Sequence, residues 1–252
     1  MCTLLLLRRP RHDWPLILGA NRDEMRDRPW QTPGAHWPEL PGVIAGRDEL
    51  SGGSWLGLNR QGVVAAILNR RGSLGPLAGK RSRGELVLQA LAAETAAAAV
   101  SGLEASEAAD YRSYNLVIAD RREAFWLRHT GAEDAERPEV FPLPEGLTML
   151  TAGDRNDPTS PRVRRYLPLL EVAAPPDPET GDWSAWQKLL ADRGPPGDPE
   201  PAAAMNLDLP GGFGTVSSAL LALGSSKPPG IRWLFAAGRP DEISYKPVIL
   251  HG

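Results

Sequence analysis

Residues 1–24 read MCTLLLLRRPRHDWPLILGANRDE, and this stretch decides the fold that we predict for the chain. The apolar run Thr3–Leu7 ends at Arg-Arg-Pro, and a second apolar run, Leu16–Ala20, begins directly after Pro15. Short apolar runs bounded by turn residues are typical of buried strands. We therefore predict a hairpin whose open end returns the segment Gly19–Glu24 to the side of Cys2.

The rest of the sequence alternates between hairpins and helices. Further hairpins are predicted over 55–68 and 116–127, and late strands over 215–223, 233–237 and 245–250. Helices are predicted over 83–100, 160–172 and 183–190, while the Pro- and Gly-rich segment 25–53 is interpreted as ordered loop. This order indicates an α+β protein with antiparallel sheets and no parallel βαβ winding. We expect one domain over residues 1–252.

Composition excludes several classes of function. The chain has 252 residues, 42% of them hydrophobic, a formal net charge of −3 and a single cysteine. A nucleic-acid-binding protein usually carries a basic excess, so none is expected here. The lone cysteine excludes an internal disulfide, and no apolar run is long enough to span a membrane. We therefore expect a cytoplasmic protein. The four histidines lack the spacing of metal ligands, so we predict neither a metal site nor a cofactor.

Cys2 is the first candidate for chemistry. A small residue behind Met1 permits removal of the initiator, which would place a thiol and a free α-amine on one residue. An amine can act as the local base for such a nucleophile. The alternative is a buried structural thiol at the start of a strand, because cysteine is among the most buried residue types.

Polar residues at two strand ends are candidate partners of this thiol. Asp23 is positioned to accept a hydrogen bond from the α-amine, and Arg22 to hold a substrate carboxylate or stabilise a thiolate. Asn21 stands beside them as a substrate-binding candidate. Asn69 closes the second strand of its hairpin, where a side-chain amide can donate to an oxyanion. For all of these, a surface turn with a local ion pair is the alternative.

Two further features are candidate substrate-binding elements. Arg70 belongs to a basic stretch next to Asn69 that consists of Arg70, Arg71, Lys80, Arg81 and Arg83. One interpretation is that this stretch receives an anionic substrate; the alternative is that it forms a solvated face. Trp55 ends a Trp-rich segment, 25–55, that is interpreted as the wall of an apolar pocket.

A family resemblance rests on several motifs in this order: MCT, ANRDE, GGSWLGLNRQGVVAAILN, SRGEL, YNLVIAD and FGTVSS. Together they resemble the NRDE family, also called the transport and Golgi organisation family. That family in turn is similar to the choloylglycine hydrolase and penicillin V acylase branch of the N-terminal nucleophile hydrolases. The resemblance implies a four-layer αββα fold with two stacked antiparallel sheets. It also implies that Cys2 is the nucleophile, that Asp23 holds its amine and that Asn69 contributes to the oxyanion hole.

The chain departs from the pattern at three positions. Ala20 stands where the acylases have an Arg, Ala152 stands where they have a second Asn, and Val216 stands where the NRDE family often has an Arg. Arg22 is a candidate replacement for the first, although we expect its side chain to point elsewhere.

Two functions follow from the resemblance. One is an amidase or acyl-transferase, hydrolysing carbon–nitrogen bonds other than peptide bonds in a small substrate. The other is a non-catalytic carrier of haem or acyl-CoA on the same scaffold, since a fold does not determine a function. The oligomeric state is not predicted.

Overall fold

The computed structural model describes residues 2–104, 108–132, 136–225 and 230–250. The chain divides into two units, the first made of Met1–Arg28 and Glu145–Val248 and the second of Pro29–Pro144 and Ile249–Gly252. Each is described by itself below. That residues 1–252 form one domain stays a prediction.

The elements are numbered in chain order. The strands are β1 (Thr3–Arg8), β2 (Leu16–Met25), β3 (Trp30–Gly34), β4 (Val43–Asp48), β5 (Leu56–Asn59), β6 (Val64–Asn69), β7 (Tyr114–Ala119), β8 (Ala124–His129), β9 (Glu139–Pro142), β10 (Gly146–Leu150), β11 (Phe213–Leu223), β12 (Ile231–Ala236) and β13 (Lys246–Pro247). The helices are α1 (Gly84–Leu91), α2 (Ala96–Glu104), α3 (Pro161–Val172) and α4 (Ser184–Leu190). None of these helices combines the length and the apolar character needed to cross a membrane.

The first unit is built on a six-stranded antiparallel sheet in the order β10-β1-β2-β11-β12-β13. The predicted first hairpin is present, because β1 pairs with β2 in a register that sets Thr3 opposite Asn21. One face of the sheet packs on α3 and α4, where Leu5 and Ile17 join Tyr166 and Trp186 in a buried core. Side chains alternate between the faces of a strand, so every second residue of β1 and β2 points away from these helices.

The second unit contains a seven-stranded antiparallel sheet in the order β3-β4-β5-β6-β7-β8-β9. Helices α1 and α2 cover one of its faces, where Leu86, Leu91 and Val100 pack on Ala65 and Leu116. The predicted hairpins β5–β6 and β7–β8 are both present.

Two glycines explain why the GGSW and SRGE motifs occur together. A Cβ added to Gly53 would lie 2.5 Å from the carbonyl carbon of Gly84, and one added to Gly84 would lie 2.9 Å from the Ser54 nitrogen. The backbones therefore touch directly, and the Ser54 N–H donates to the Gly84 carbonyl at 3.1 Å. Only glycine allows such an approach of two chains.

Three predictions of secondary structure are wrong. Segment 25–53 is not all loop, since it contains β3 and β4, and the strands β9 and β10 were not expected. These strands gain their stability from pairing with distant partners, which local sequence patterns do not report. The last strand is limited to Lys246–Pro247 rather than 245–250.

The predicted helix 83–100 is interrupted between α1 and α2. The Asn59 side-chain amide donates to the carbonyls of Leu91 and Ala93, at 2.8 and 2.7 Å, and so holds the end of α1. The Asp120 carboxylate accepts the N–H of Ala96 at 2.9 Å and caps the start of α2. Side chains from two distant turns thus divide a segment whose own sequence favours a continuous helix.

Candidate functional site

The Cys2 thiol lies against the main chain of Asp23. The Asp23 N–H donates to the Cys2 Sγ at 3.4 Å, and the thiol donates to the Asp23 carbonyl at 3.6 Å. Cys2 is half-buried and directly precedes β1, so the β1–β2 pairing determines where the thiol stands. The open end of the hairpin thus places the ANRDE motif next to the single cysteine. Met1 lies outside the described residues.

The Asp23 carboxylate is fully buried and has two defined donors. Its Oδ2 lies 3.0 Å from Nη1 of Arg162, whose side chain is only 4% exposed. Its Oδ1 accepts the Thr215 hydroxyl at 2.7 Å. The Thr215 oxygen also accepts the Leu207 N–H at 2.8 Å, which leaves its single proton for Asp23. Each carboxylate oxygen can accept more than one hydrogen bond.

A β-bulge at Val216 separates two polar residues of β11. Thr215 pairs with Asp23 and Ser217 pairs with Arg22, with the register shift between them. Without the extra residue, Thr215 and Ser217 would share a face of the sheet; the bulge re-aims them to opposite faces. Val216, one of the three departures from the family pattern, is therefore the inserted residue.

The two faces of the sheet carry different groups near Cys2. Thr3, Asp23 and Thr215 lie on the face that packs on α3, as their contacts with each other and with Arg162 show. Continuing the β1–β2 register by one residue sets Cys2 opposite Arg22, which itself is opposite Ser217. Cys2, Arg22 and Ser217 therefore form a row across three strands on the face away from the helices.

Burial is the main cause that raises the pKa of the Cys2 thiol, and the negative charge of Asp23 adds to it. The Arg22 guanidinium and the Asp23 N–H act in the opposite direction, which also shows that Arg22 is close to the sulfur. A thiol with a raised pKa stays protonated at neutral pH, so a nucleophilic role needs a nearby proton acceptor.

Asn21 is used inside the first unit. Its side-chain amide donates to the carbonyls of Leu190 and Met205, at 2.8 and 3.0 Å, and the residue is 1% exposed. These bonds connect β2 to the end of α4. A substrate-binding role for Asn21 stays a prediction, and both of its amide protons are already engaged.

Asn69, Arg70 and Trp55 lie in the second unit. Asn69 is the last residue of β6, is half-buried and pairs with Tyr114. Arg70 donates to the Asn115 side chain at 2.7 Å, and Trp55 packs edge-on against Trp30 with ring centroids 5.7 Å apart. The roles assigned to these three residues stay predictions.

The basic stretch around Arg70 is largely tied to its own unit. Arg83 donates to the Ser73 hydroxyl and the Ser113 carbonyl, and Arg81 forms an ion pair with Glu85. Lys80 donates to the Ala109 carbonyl at 2.5 Å. These contacts support the interpretation of the stretch as a structural, solvated face.

No cluster of three or more potential metal ligands occurs within the part of the chain that the structure describes. His251 lies outside those residues.

Sequence reasoning missed Arg162, Thr215 and Ser217. The spacing of Arg162, Tyr166 and Leu170 was a usable signal, because it places an arginine on the buried face of α3. Ser217 and Thr215 carried no such signal, since their opposite orientations depend on the bulge.

Two hydrolases are among the solved structures with a similar architecture. A Caenorhabditis elegans N-acylethanolamine-hydrolyzing acid amidase ortholog matches with a TM-score of 0.55 and 13% identity, over 87% of this chain and 92% of that one. A conjugated bile acid hydrolase from Clostridium perfringens matches with a TM-score of 0.50 and 15% identity, over 100% and 97% of the two chains. At such identities the similarity shows the fold alone. The predicted α+β fold of the N-terminal nucleophile hydrolases is thereby confirmed.

The sequence comparison identifies the family. Residues 1–165 match the family described as Transport and Golgi organisation 2. The chain belongs to this family, as the NRDE-type motifs predicted. The Transport and Golgi organization protein 2 homologs of Bos taurus and Homo sapiens are 33% and 32% identical over 129 residues. The matched segment is 45% of each homolog, so the chain spans about half the length of the curated relatives it matches.

Proposed function

We propose that the protein is an N-terminal-cysteine amidase or acyl-transferase that cleaves a carbon–nitrogen bond other than a peptide bond in a small substrate. The observation that carries the proposal is the position of the thiol: the single cysteine contacts the main chain of Asp23, whose carboxylate is held by Arg162 and Thr215. The solved hydrolases named above share the fold and support the same class of reaction.

The proposed reaction begins when removal of Met1 frees the α-amine of Cys2. The amine accepts the thiol proton and the sulfur forms a bond to the substrate carbonyl carbon. Asn69 and a main-chain N–H are proposed to hold the resulting oxyanion. The carbon–nitrogen bond then breaks, and the leaving amine takes the proton from the α-ammonium group. Water, deprotonated by the α-amine, attacks the thioester; the carbon–sulfur bond breaks and the thiolate recovers a proton.

The residues around the thiol have proposed roles in substrate binding. Arg22 lies next to Cys2 and is proposed to bind an anionic part of the substrate, with Ser217 as a neighbouring hydrogen-bonding group. Asp23 is proposed to orient the α-amine by accepting a hydrogen bond from it.

Intact-mass measurement and an acyl-trapping assay test this function. The purified protein is expected to lack Met1, and incubation with N-acylethanolamines or conjugated bile acids is expected to release the amine and add an acyl mass to Cys2. The Cys2→Ala variant is the control and should show neither product. Full retention of Met1, or amine release that persists in the variant, would overturn the proposal.

A carrier of haem or acyl-CoA is the second candidate function. The family resemblance supports it, and the raised pKa of the Cys2 thiol counts against a ready nucleophile. Titration of wild type and Cys2→Ala with haem and with acyl-CoA separates the two functions. Equal binding by both proteins, without turnover in wild type, would support the carrier.

A further inference from the structure

Arg162 contacts both strands that flank the candidate nucleophile. Its Nη1 donates to the Thr3 hydroxyl at 2.7 Å and lies 3.0 Å from Asp23 Oδ2, while its Nη2 donates to the Ala202 carbonyl at 3.2 Å. Thr3 directly follows Cys2, and the thiol rests on the main chain of Asp23. One guanidinium therefore ties together the two segments that determine where the thiol stands.

Both charges of this pair are out of water. The side chain of Arg162 is 4% exposed and that of Asp23 is 0% exposed. Salt and solvent screen buried charges weakly, so the Asp23 carboxylate acts on the nearby sulfur and Arg162 acts on that carboxylate. A lone carboxylate would oppose formation of a thiolate, whereas an adjacent guanidinium offsets this effect.

We infer that Arg162 is a positioning residue of the Cys2 site, which orients the Asp23 carboxylate and balances its negative charge beside the thiol. The inference rests on the proposed function, in which Cys2 is the nucleophile. Arg162 acts through Asp23, because it approaches from α3, on the opposite face of the sheet from the row of Cys2, Arg22 and Ser217. Arg22 and Ser217, which lie on the thiol face, are both buried.

Arg162 does not replace the arginine that the acylases have at the position of Ala20. Ala20 pairs with Leu4 and lies two residues before Arg22, so it shares the face of Cys2 and Arg22, whereas Arg162 reaches Asp23 from the helix face.

The single cysteine allows a direct test on the full chain. We would measure the rate of alkylation by iodoacetamide between pH 7 and 11.5 and obtain the midpoint of the thiol titration. Among the described residues, the charged groups near the sulfur are Asp23 and Arg22, with Arg162 behind Asp23. In the proposed function, the α-amine that removal of Met1 would free is a further charged group on Cys2. Four variants are compared with wild type: Arg162→Met, Asp23→Asn, the double variant of these two, and Arg164→Met. The last is a matched control on the same helix, where Arg164 is 58% exposed.

Opposite shifts are expected from the two charges. Arg162→Met should raise the midpoint by about one pH unit and Asp23→Asn should lower it by about as much. The double variant should return to within about 0.3 units of wild type because it removes both charges, and Arg164→Met should leave the midpoint unchanged. A purely structural role for Arg162 would not produce shifts of opposite sign that cancel.

The outcome is decisive even if Arg162→Met does not fold. Replacing both members of a buried ion pair is tolerated better than removing one. The double variant is then compared with Asp23→Asn alone, and equal midpoints of the thiol titration in these two variants would overturn the inference. If Arg162→Met does fold, a midpoint equal to that of wild type would also overturn it. The test needs no turnover, so the expected shifts without any acyl product would refute the proposed function and leave the role of Arg162 standing.

Discussion

The buried pair of Arg162 and Asp23 makes a quantitative prediction about stability. Removing one partner of a buried ion pair costs about 3–5 kcal/mol, because the other charge is left without compensation. Both side chains are almost completely buried, at 4% and 0% exposure, so Arg162→Met is expected to fall in this range. The double variant Arg162→Met with Asp23→Asn removes both charges and keeps an acceptor for Thr215, so we expect a loss of only about 1–3 kcal/mol.

Urea unfolding followed by tryptophan fluorescence measures these free energies of unfolding. Arg164→Met is the control: its pair with Glu200 is 58% and 52% exposed and spans 3.5 Å, so its removal should cost less than about 1 kcal/mol. The reasoning is refuted if the losses of the two single variants add up in the double variant, or if Arg162→Met costs no more than Arg164→Met.

Three further predictions concern the second unit. Burial lowers the pKa of His129, so the folded chain binds this proton more weakly than the unfolded chain, whose imidazole titrates near pH ~6.5. The contribution of His129 to stability is therefore fully present above that pH and is lost as the pH falls below it. The urea midpoint should differ less between pH 7.5 and pH 5 in His129→Gln than in wild type. The same difference in both proteins would contradict this prediction. Gly53→Ala places a Cβ 2.5 Å from backbone and should cost about 3 kcal/mol. In contrast, a Cβ added to Gly102 in α2 would meet nothing within 4 Å, so Gly102→Ala should stabilise the protein by roughly 0.5–1 kcal/mol. Equal shifts of the melting temperature in the two glycine variants would be inconsistent with a backbone contact between Gly53 and Gly84. Asn59→Ala frees two carbonyls at the end of α1 and should cost about 3 kcal/mol in the same assay, whereas a loss below about 1 kcal/mol would show that they find other partners.

Strong local patterns made much of the fold predictable. Apolar runs bounded by turn residues identified the β1–β2, β5–β6 and β7–β8 hairpins, and Pro161 after Ser160 identified the start of α3. The order of these elements was sufficient to predict an α+β protein with antiparallel sheets. The set of motifs from MCT to FGTVSS, taken together, was sufficient to predict the family, which the match over residues 1–165 confirms.

Elements that depend on distant partners escaped prediction. Strands β3, β4, β9 and β10 exist through pairing with other strands, and the break between α1 and α2 depends on Asn59 and Asp120 from remote turns. Local propensity contains no information about such contacts.

The candidate site divides in the same way. The sequence by itself determined that one thiol stands next to an Asn-Arg-Asp segment, because a short hairpin brings its two ends together whatever surrounds it. Only the tertiary structure decided what holds that segment, since Arg162 lies 139 residues from Asp23 along the chain and the bulge at Val216 depends on the pairing of β11 with β2. The direction of a polar side chain is decided by the partners that compensate its burial, and these come from elements that are distant in sequence.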